Sequence, residues 1–261
     1  MKTVREFQKY NNEDKKISVV TCYDHWSALI LDETDIDAVL VGDSAAMVMH
    51  GHETTVYADL DMMSFHVSAV KRGIKNKFLI ADIPFLAHKK GSSLLFDAID
   101  KLMKAGAQAI KIEGADDIKL IKKIVVSGIP VMGHLGLTPQ SINQLGGYKV
   151  HGQDEISSNK LLADALLLEE AGCFSIVLEM VPSDLARRVT EKLKIPTIGI
   201  GAGPFTSGQV LVLHDLLGMS KDFNPKFLRK YMNGYEQIKS AINNYNFDVK
   251  ERKFPSTNES H

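Results

Sequence analysis

The chain has 261 residues, 44% of them hydrophobic and 24% charged, which suits one large α/β domain and leaves no need for a second. Its 31 Lys plus Arg stand against 32 Asp plus Glu, a formal charge of -1, so no overall field attracts nucleic acid or an anionic membrane, and a small neutral-to-acidic ligand stays open. Cys22 and Cys173 sit in apolar strand-like runs without a CxxC or histidine cluster of zinc spacing; both read as reduced core thiols of a cytoplasmic protein.

The first sixteen residues, MKTVREFQKYNNEDKK, are charged throughout and read as a short extension before the fold. They lack the apolar run of a secretory signal, and no stretch reaches the ~20 apolar residues of a membrane span. Short β-branched runs then alternate with amphipathic segments. In order they are ISVVTCYD, DAVLVGDS, KFLIADIP, QAIKIEG, IPVMGHLG, FSIVLEMV, IPTIGIGAG and GQVLVLHDLLG. Between the second and third, Met63, Val67 and Val70 share one face at i, i+4, i+7, which predicts a helix over 60–72. Strand and helix repeated in this way imply parallel pairing, because parallel neighbours need a crossover of a dozen or more residues. Eight such units predict one (β/α)8 TIM barrel over 1–261.

Two connections exceed what a crossover needs, 45–59 after the second strand and the Gly-, Ser- and Gln-rich 137–157 after the fifth; long loops in a compact domain are usually functional or disordered. Near the end, Leu228, Tyr231, Tyr235, Ile238 and Ile242 share a helical face, read mainly as a core-packing last helix. The polar segment 248–261 reads as a mobile tail.

Chemistry collects where the strands end: Asp24 after the first, Asp43 and Ser44 the second, Asp82 the third, Lys111 and Glu113 the fourth, His134 the fifth, Glu179 the sixth, and His214 with Asp215 the eighth. A barrel gathers these ends at one rim. Strand parity groups Val39, Val41 and Asp43, Ile80 with Asp82, Met132 with His134, and Val177 with Glu179, and it points Lys111 and Glu113 inward together. Any single acid after a strand can merely cap the next helix. Four at one mouth are another matter, since each buried unpaired charge costs several kcal/mol against a total stability of roughly 5–15 kcal/mol. Oxygen ligands without cysteine favour a hard ion such as Mg²⁺. A 2-oxo acid could chelate that ion through its carboxylate and carbonyl, making it a Lewis acid for enolate formation. Lys111 would add positive charge at the developing oxyanion. Glu179 is the candidate base, and His134 is either a substrate hydrogen-bonding group or a satisfied core residue. The GIGAG run at 199–203 suits a phosphate cradle or a tight turn with close backbone approach.

VGDS (41–44), ADIPF (81–85), KIEG (111–114), GHLGLTPQS (133–141) followed by LGGYKV, LE (178–179), GIGAG, GQVLV and HD occur in the order seen in ketopantoate hydroxymethyltransferases, which the chain resembles from about Val19 to Tyr231. The resemblance implies a barrel of the phosphoenolpyruvate/pyruvate-binding type. It also implies transfer of a hydroxymethyl group from methylene-tetrahydrofolate to 3-methyl-2-oxobutanoate, giving 2-dehydropantoate in pantothenate biosynthesis, with a decamer as the usual assembly. By the same resemblance Asp43, Asp82 and Glu113 are implied magnesium ligands. Asp43, Ser44, Asp82, Lys111 and His134 are implied substrate contacts, and Glu179 the proton acceptor. The chain departs from the family pattern at Ala45–Ala46, commonly Leu-Gly, at Leu86–Ala87–His88, usually Gly-Ser-Tyr, and at Ser207, often acidic. Rival readings are a carbon-carbon lyase or mutase of the phosphoenolpyruvate mutase/isocitrate lyase type, whose cysteine-bearing loop has no counterpart here, and a silent barrel used as a binding module.

Overall fold

Each of the eight β-branched runs forms a strand: β1 Ile17–Thr21, β2 Ala38–Val41, β3 Phe78–Asp82, β4 Ala109–Glu113, β5 Val131–Gly136, β6 Ser175–Glu179, β7 Thr197–Ile200 and β8 Gly208–Leu211. All pair in parallel with their sequence neighbours, and β8 returns to β1 to close the barrel. The computed structural model describes residues 2–141 and 151–260. By backbone contacts the chain groups into a barrel unit, Met1–Val212, and a smaller unit, Leu213–His261. Among the described residues no helix is long and apolar enough to cross a membrane.

The predicted crossover helix spans Leu60–Gly73 and buries Met63, Val67 and Val70, with Asp59 capping its start by accepting from the Met62 N–H at 2.8 Å. The barrel interior takes alternate residues of each strand: Ile17 and Val19, Ala38 and Leu40, Phe78 and Ile80, Ala109, Met132, Val177, Ile198 and Val210 form one apolar cluster. This matches the expected parity on β3, β5 and β6 and corrects it on β2, where Ala38 and Leu40, not Val39 and Val41, belong to the interior. Every residue of β2 is buried, so its sequence holds no apolar-polar alternation from which the phase could be read.

The N-terminal segment is more than an extension. Val4–Asn12 forms a helix, α1, whose Glu6 carboxylate accepts from the Thr3 N–H at 2.8 Å. Its Phe7 is fully buried in the interior cluster. The Phe7 ring meets Phe78 and Phe174 edge-on at centroid separations of 5.6 and 5.1 Å, and each such pair contributes about 0.5–1.5 kcal/mol beyond its area. The strand-start end of the barrel is thereby plugged.

In the smaller unit, His214 and Asp215 do not end a strand. β8 stops at Leu211, and they sit in a helical turn, Leu213–Leu216. The last helix spans Gly234–Lys250 and buries only Gly234. Tyr235, Ile238 and Ile242 are exposed, so the apolar face read as core-packing does not pack into a core.

Candidate active site

Strand register builds the site. Asp82 stands beside Lys111 on the next strand, Glu113 beside His134, and Glu179 beside Gly136. Continuing the interior parity by one step beyond Ile80, Met132 and Val177 puts Asp82, His134 and Glu179 on the inner side above the apolar cluster. Lys111 and Glu113 extend the series that starts at Ala109. Asp43 arrives differently. Gly42 takes the next inner position of β2, and a Cβ there would meet Ser44 Oγ at 2.7 Å and Asp82 Oδ2 at 3.6 Å. The missing side chain makes room for the Ser44 hydroxyl, and the following turn places Asp43 so that its N–H donates to Asp82 Oδ2 at 3.0 Å.

The contacts run on from there. Lys111 Nζ lies 3.1 Å from Asp82 Oδ1. His134 bridges two acids, with Nδ1 3.2 Å from Glu113 Oε1 and Nε2 3.2 Å from Glu179 Oε2. These are ion-pair approaches without aligned hydrogen bonds: Asp82 Oδ1, Glu113 Oε1 and His134 Nε2 are enclosed and have no hydrogen-bond partner among the described residues. Asp43, Asp82, Lys111, Glu113 and His134 are all buried, while Glu179 keeps 19% of its side chain exposed.

Charge drives the protonation. Burial, reinforced by Asp82 and Glu113, pushes the Asp43 carboxyl well above the usual carboxylate range, and burial raises Asp82 despite Lys111. Burial would also raise Glu113, but the adjacent His134, with Lys111, holds it below its usual value. For His134, burial and Lys111 oppose the imidazolium, yet Glu113 and Glu179 outweigh them and lift it to about 9. For Lys111, burial opposes the ammonium, and Asp82, Glu113, Asp43 and Glu179 together outweigh burial and raise it.

Four carboxylates thus face one lysine and one histidine. Enclosed acid oxygens without donors, on an all-oxygen set in excess of positive charge, fit a hard divalent cation. No group of three or more His, Cys, Asp and Glu side chains among the described residues is arranged to hold a metal ion. The donor set therefore suits an open site of one or two carboxylates whose other positions go to water and substrate, the usual manner of Mg²⁺, and not a closed protein cage.

One further expected rim residue is employed elsewhere. Asp24 caps the helix His25–Glu33, accepting from Ser27 N–H at 2.9 Å and Ser27 Oγ at 2.7 Å. Ser44 stands with the acids, and its Oγ lies 2.8 Å from the Tyr23 hydroxyl. A Cβ on Gly199 would meet Thr206 Oγ1 at 2.7 Å, so the GIGAG run serves close internal packing there. Gln140 was not anticipated: it is buried among the acids, and a glutamine in a polar loop carries no sequence signal that marks it. The LGGYKV motif lies outside the described residues. A cavity of about 660 Å³ opens against Glu113 and is lined also by Phe85, Leu86, His88, Gln140 and Lys160, within the size range of small-molecule sites.

The chain is similar to known proteins over its whole length. Residues 1–257 match the family model described as ketopantoate hydroxymethyltransferase. Among curated relatives, the 3-methyl-2-oxobutanoate hydroxymethyltransferase of Coxiella burnetii (strain Dugway 5J108-111) is 54% identical over 252 residues, covering 96% of this chain and 95% of its own. That of Bdellovibrio bacteriovorus is 53% identical over 262 residues and covers both chains completely. Solved structures similar in fold include a phosphonopyruvate hydrolase complex with oxalate and Mg²⁺, with TM-score 0.63, 12% identity and coverage of 99% and 93%. A 2,3-dimethylmalate lyase of the phosphoenolpyruvate mutase/isocitrate lyase superfamily gives TM-score 0.57, 14% identity and coverage of 98% and 89%. At such identities these two show the fold alone, whereas the full-length relatives settle the lineage: the chain is an enzyme and belongs to the ketopantoate hydroxymethyltransferase family.

Proposed function

We propose that this enzyme transfers a hydroxymethyl group from methylene-tetrahydrofolate to 3-methyl-2-oxobutanoate, giving 2-dehydropantoate for pantothenate biosynthesis in the cytoplasm, as a homodecamer. The observation that carries the reading is the gathering of Asp43, Asp82, Glu113 and Glu179 around Lys111 and His134 at one end of the barrel. Asp43, Asp82 and Glu113 are the acids around Mg²⁺, of which one or two would hold it directly and the rest through water, and the ion would supply Lewis-acid polarisation of the 2-oxo group. Lys111 is held as an ammonium by the surrounding acids and offers fixed positive charge to the oxygen on which electrons accumulate. Ser44 offers a hydroxyl to the substrate.

Glu179, the partly exposed acid of the group, takes the proton from C3, the carbon next to the oxo group. His134 Nε2, 3.2 Å from it, orients the carboxylate. The folate would enter on the open side, where the cavity meets Glu113; water displaces its one-carbon unit from the two folate nitrogens, which take up the water's protons, C3 forms the new bond to the formaldehyde-level carbon so released, and the proton held by Glu179 passes to the resulting hydroxymethyl oxygen. The test is hydrogen exchange at C3 of 3-methyl-2-oxobutanoate in deuterium oxide, followed by proton NMR without folate. Exchange that depends on both enzyme and Mg²⁺ is expected; its absence removes proton abstraction from the reading.

A further inference from the structure

The turn after β5 does more than connect. Gly136 has φ +98°, and a Cβ there would lie 2.2 Å from the Glu179 carbonyl oxygen, so only glycine lets the chain turn this close to β6. The Leu137 N–H then donates to that same carbonyl at 2.8 Å. Pro139 opens a single 3-10 turn, Pro139–Ser141, a first-turn position where its fixed φ suits a helical start. The result is to hold Gln140 over the acids.

Gln140 is 5% exposed and reaches three rim segments at once. Its Nε2 donates to Asp43 Oδ2 at 2.8 Å and to the Ile83 carbonyl, just past β3, at 3.0 Å. Its backbone N–H donates toward Glu113 Oε2 at 3.3 Å. Both amide hydrogens are thereby used, and the side-chain Oε1 is enclosed with no hydrogen-bond donor among the described residues. A buried amide left half satisfied is destabilising, which a residue serving only to fill space would avoid.

We propose that Gln140 is a positioning residue: through its two amide N–H groups and its backbone N–H it fixes Asp43 and Glu113 in the orientation that cation and oxo acid require. The inference rests on the reading of the site as a magnesium-dependent enolising centre. It ties the β5 turn, which also grips the Glu179 backbone, to acids from β2 and β4, so one turn sets the spacing between the candidate base and the cation-holding side.

Gln140→Met tests this, because methionine keeps the length and volume of glutamine and removes both N–H donors. Loss of such an outer contact to a ligating carboxylate is expected to cost about 10- to 100-fold in C3 exchange. The Mg²⁺ concentration at half-maximal rate should rise with it, at nearly unchanged Tm. A packing role alone would leave exchange and its magnesium dependence untouched. Should Gln140→Met lower Tm by more than about 4 °C, Gln140→Asn replaces it, since it retains the amide but is one methylene too short to span Asp43 and Ile83. Exchange within twofold of the natural chain, in whichever variant folds, overturns the proposal. Absence of exchange in the natural chain itself overturns the enolising reading instead, so the two failures are distinguishable.

Discussion

The two ends of the barrel interior border one apolar cluster, yet they do opposite work. At the strand starts, Phe7, Phe78 and Phe174 close on one another with centroids 5.1 to 5.9 Å apart. Two residues further along each strand the chemistry inverts: Ile80 gives way to Asp82, Met132 to His134 and Val177 to Glu179. The floor needs only shape, and its burial is a net gain. The mouth concentrates ionisable groups that burial alone would neutralise, so its upkeep draws on stability generated elsewhere. Damage to the floor should therefore lower stability and spare the chemistry, and damage to the mouth should do the reverse.

The largest expected effect lies at the mouth. Glu179→Gln removes the proposed proton acceptor while keeping shape and the approach to His134, and turnover should fall by about 10² to 10⁴. Binding of Mg²⁺ and oxo acid, read by calorimetry, should persist, as should Tm. Turnover near that of the natural chain would take Glu179 out of the mechanism. The complementary experiment is Phe7→Ala at the floor. Truncating a fully buried phenylalanine costs about 3–5 kcal/mol, visible in chemical denaturation, while kcat per folded molecule should hold. A fall in kcat without loss of stability would erase the division between the two ends.

How far the sequence discloses each end follows from what each requires. The eight strands were legible because parallel strands covered on both faces are continuous β-branched runs, and the inward placement of Lys111 and Glu113 was legible because polar residues interrupt an apolar period. β2 defeated the same reasoning, since AVLV carries no polar residue to mark its phase, and Asp43 reaches the site through a turn and not through strand parity. Phe7 was missed although Val4, Phe7 and Tyr10 recur at helical spacing; the abundance of charge around them outweighed the pattern. Gln140 could not be read at all, because its role depends on a turn geometry fixed by Gly136 and by β6. Asp24 shows the converse, an acid at a strand end whose place is explained by an N-cap.

A smaller effect is expected at the rim of the cavity. Leu86 adopts φ 61° and is 43% exposed, and it stands where the family usually has Gly-Ser-Tyr. Left-handed backbone with a Cβ costs roughly 1–2 kcal/mol, and glycine forfeits about 0.5–1 kcal/mol of unfolded-chain entropy. Leu86→Gly should therefore raise stability by about 0.5 kcal/mol, a Tm gain of roughly 1–2 °C. A drop in Tm would mean that the exposed leucine contributes packing at the mouth that outweighs its backbone strain.

The smallest effect belongs to neither end, and its sign is set by pH. Asp215, in the smaller unit, is pushed by burial up to about 6, against the opposing pull of Lys230. Its folded state thus holds a proton that the unfolded chain, near 3.8, has already released. Between those values the native state binds more protons than the unfolded one, so the contribution of this group to stability falls as pH rises from about 4 to about 6 and stays lost above. Asp215→Asn removes the titration. Relative to the natural chain it should raise Tm at pH 7 and change it little near pH 4, and scanning calorimetry at the two values reads the difference directly. An equal shift at both would assign the effect to altered packing or hydrogen bonding and not to the buried charge.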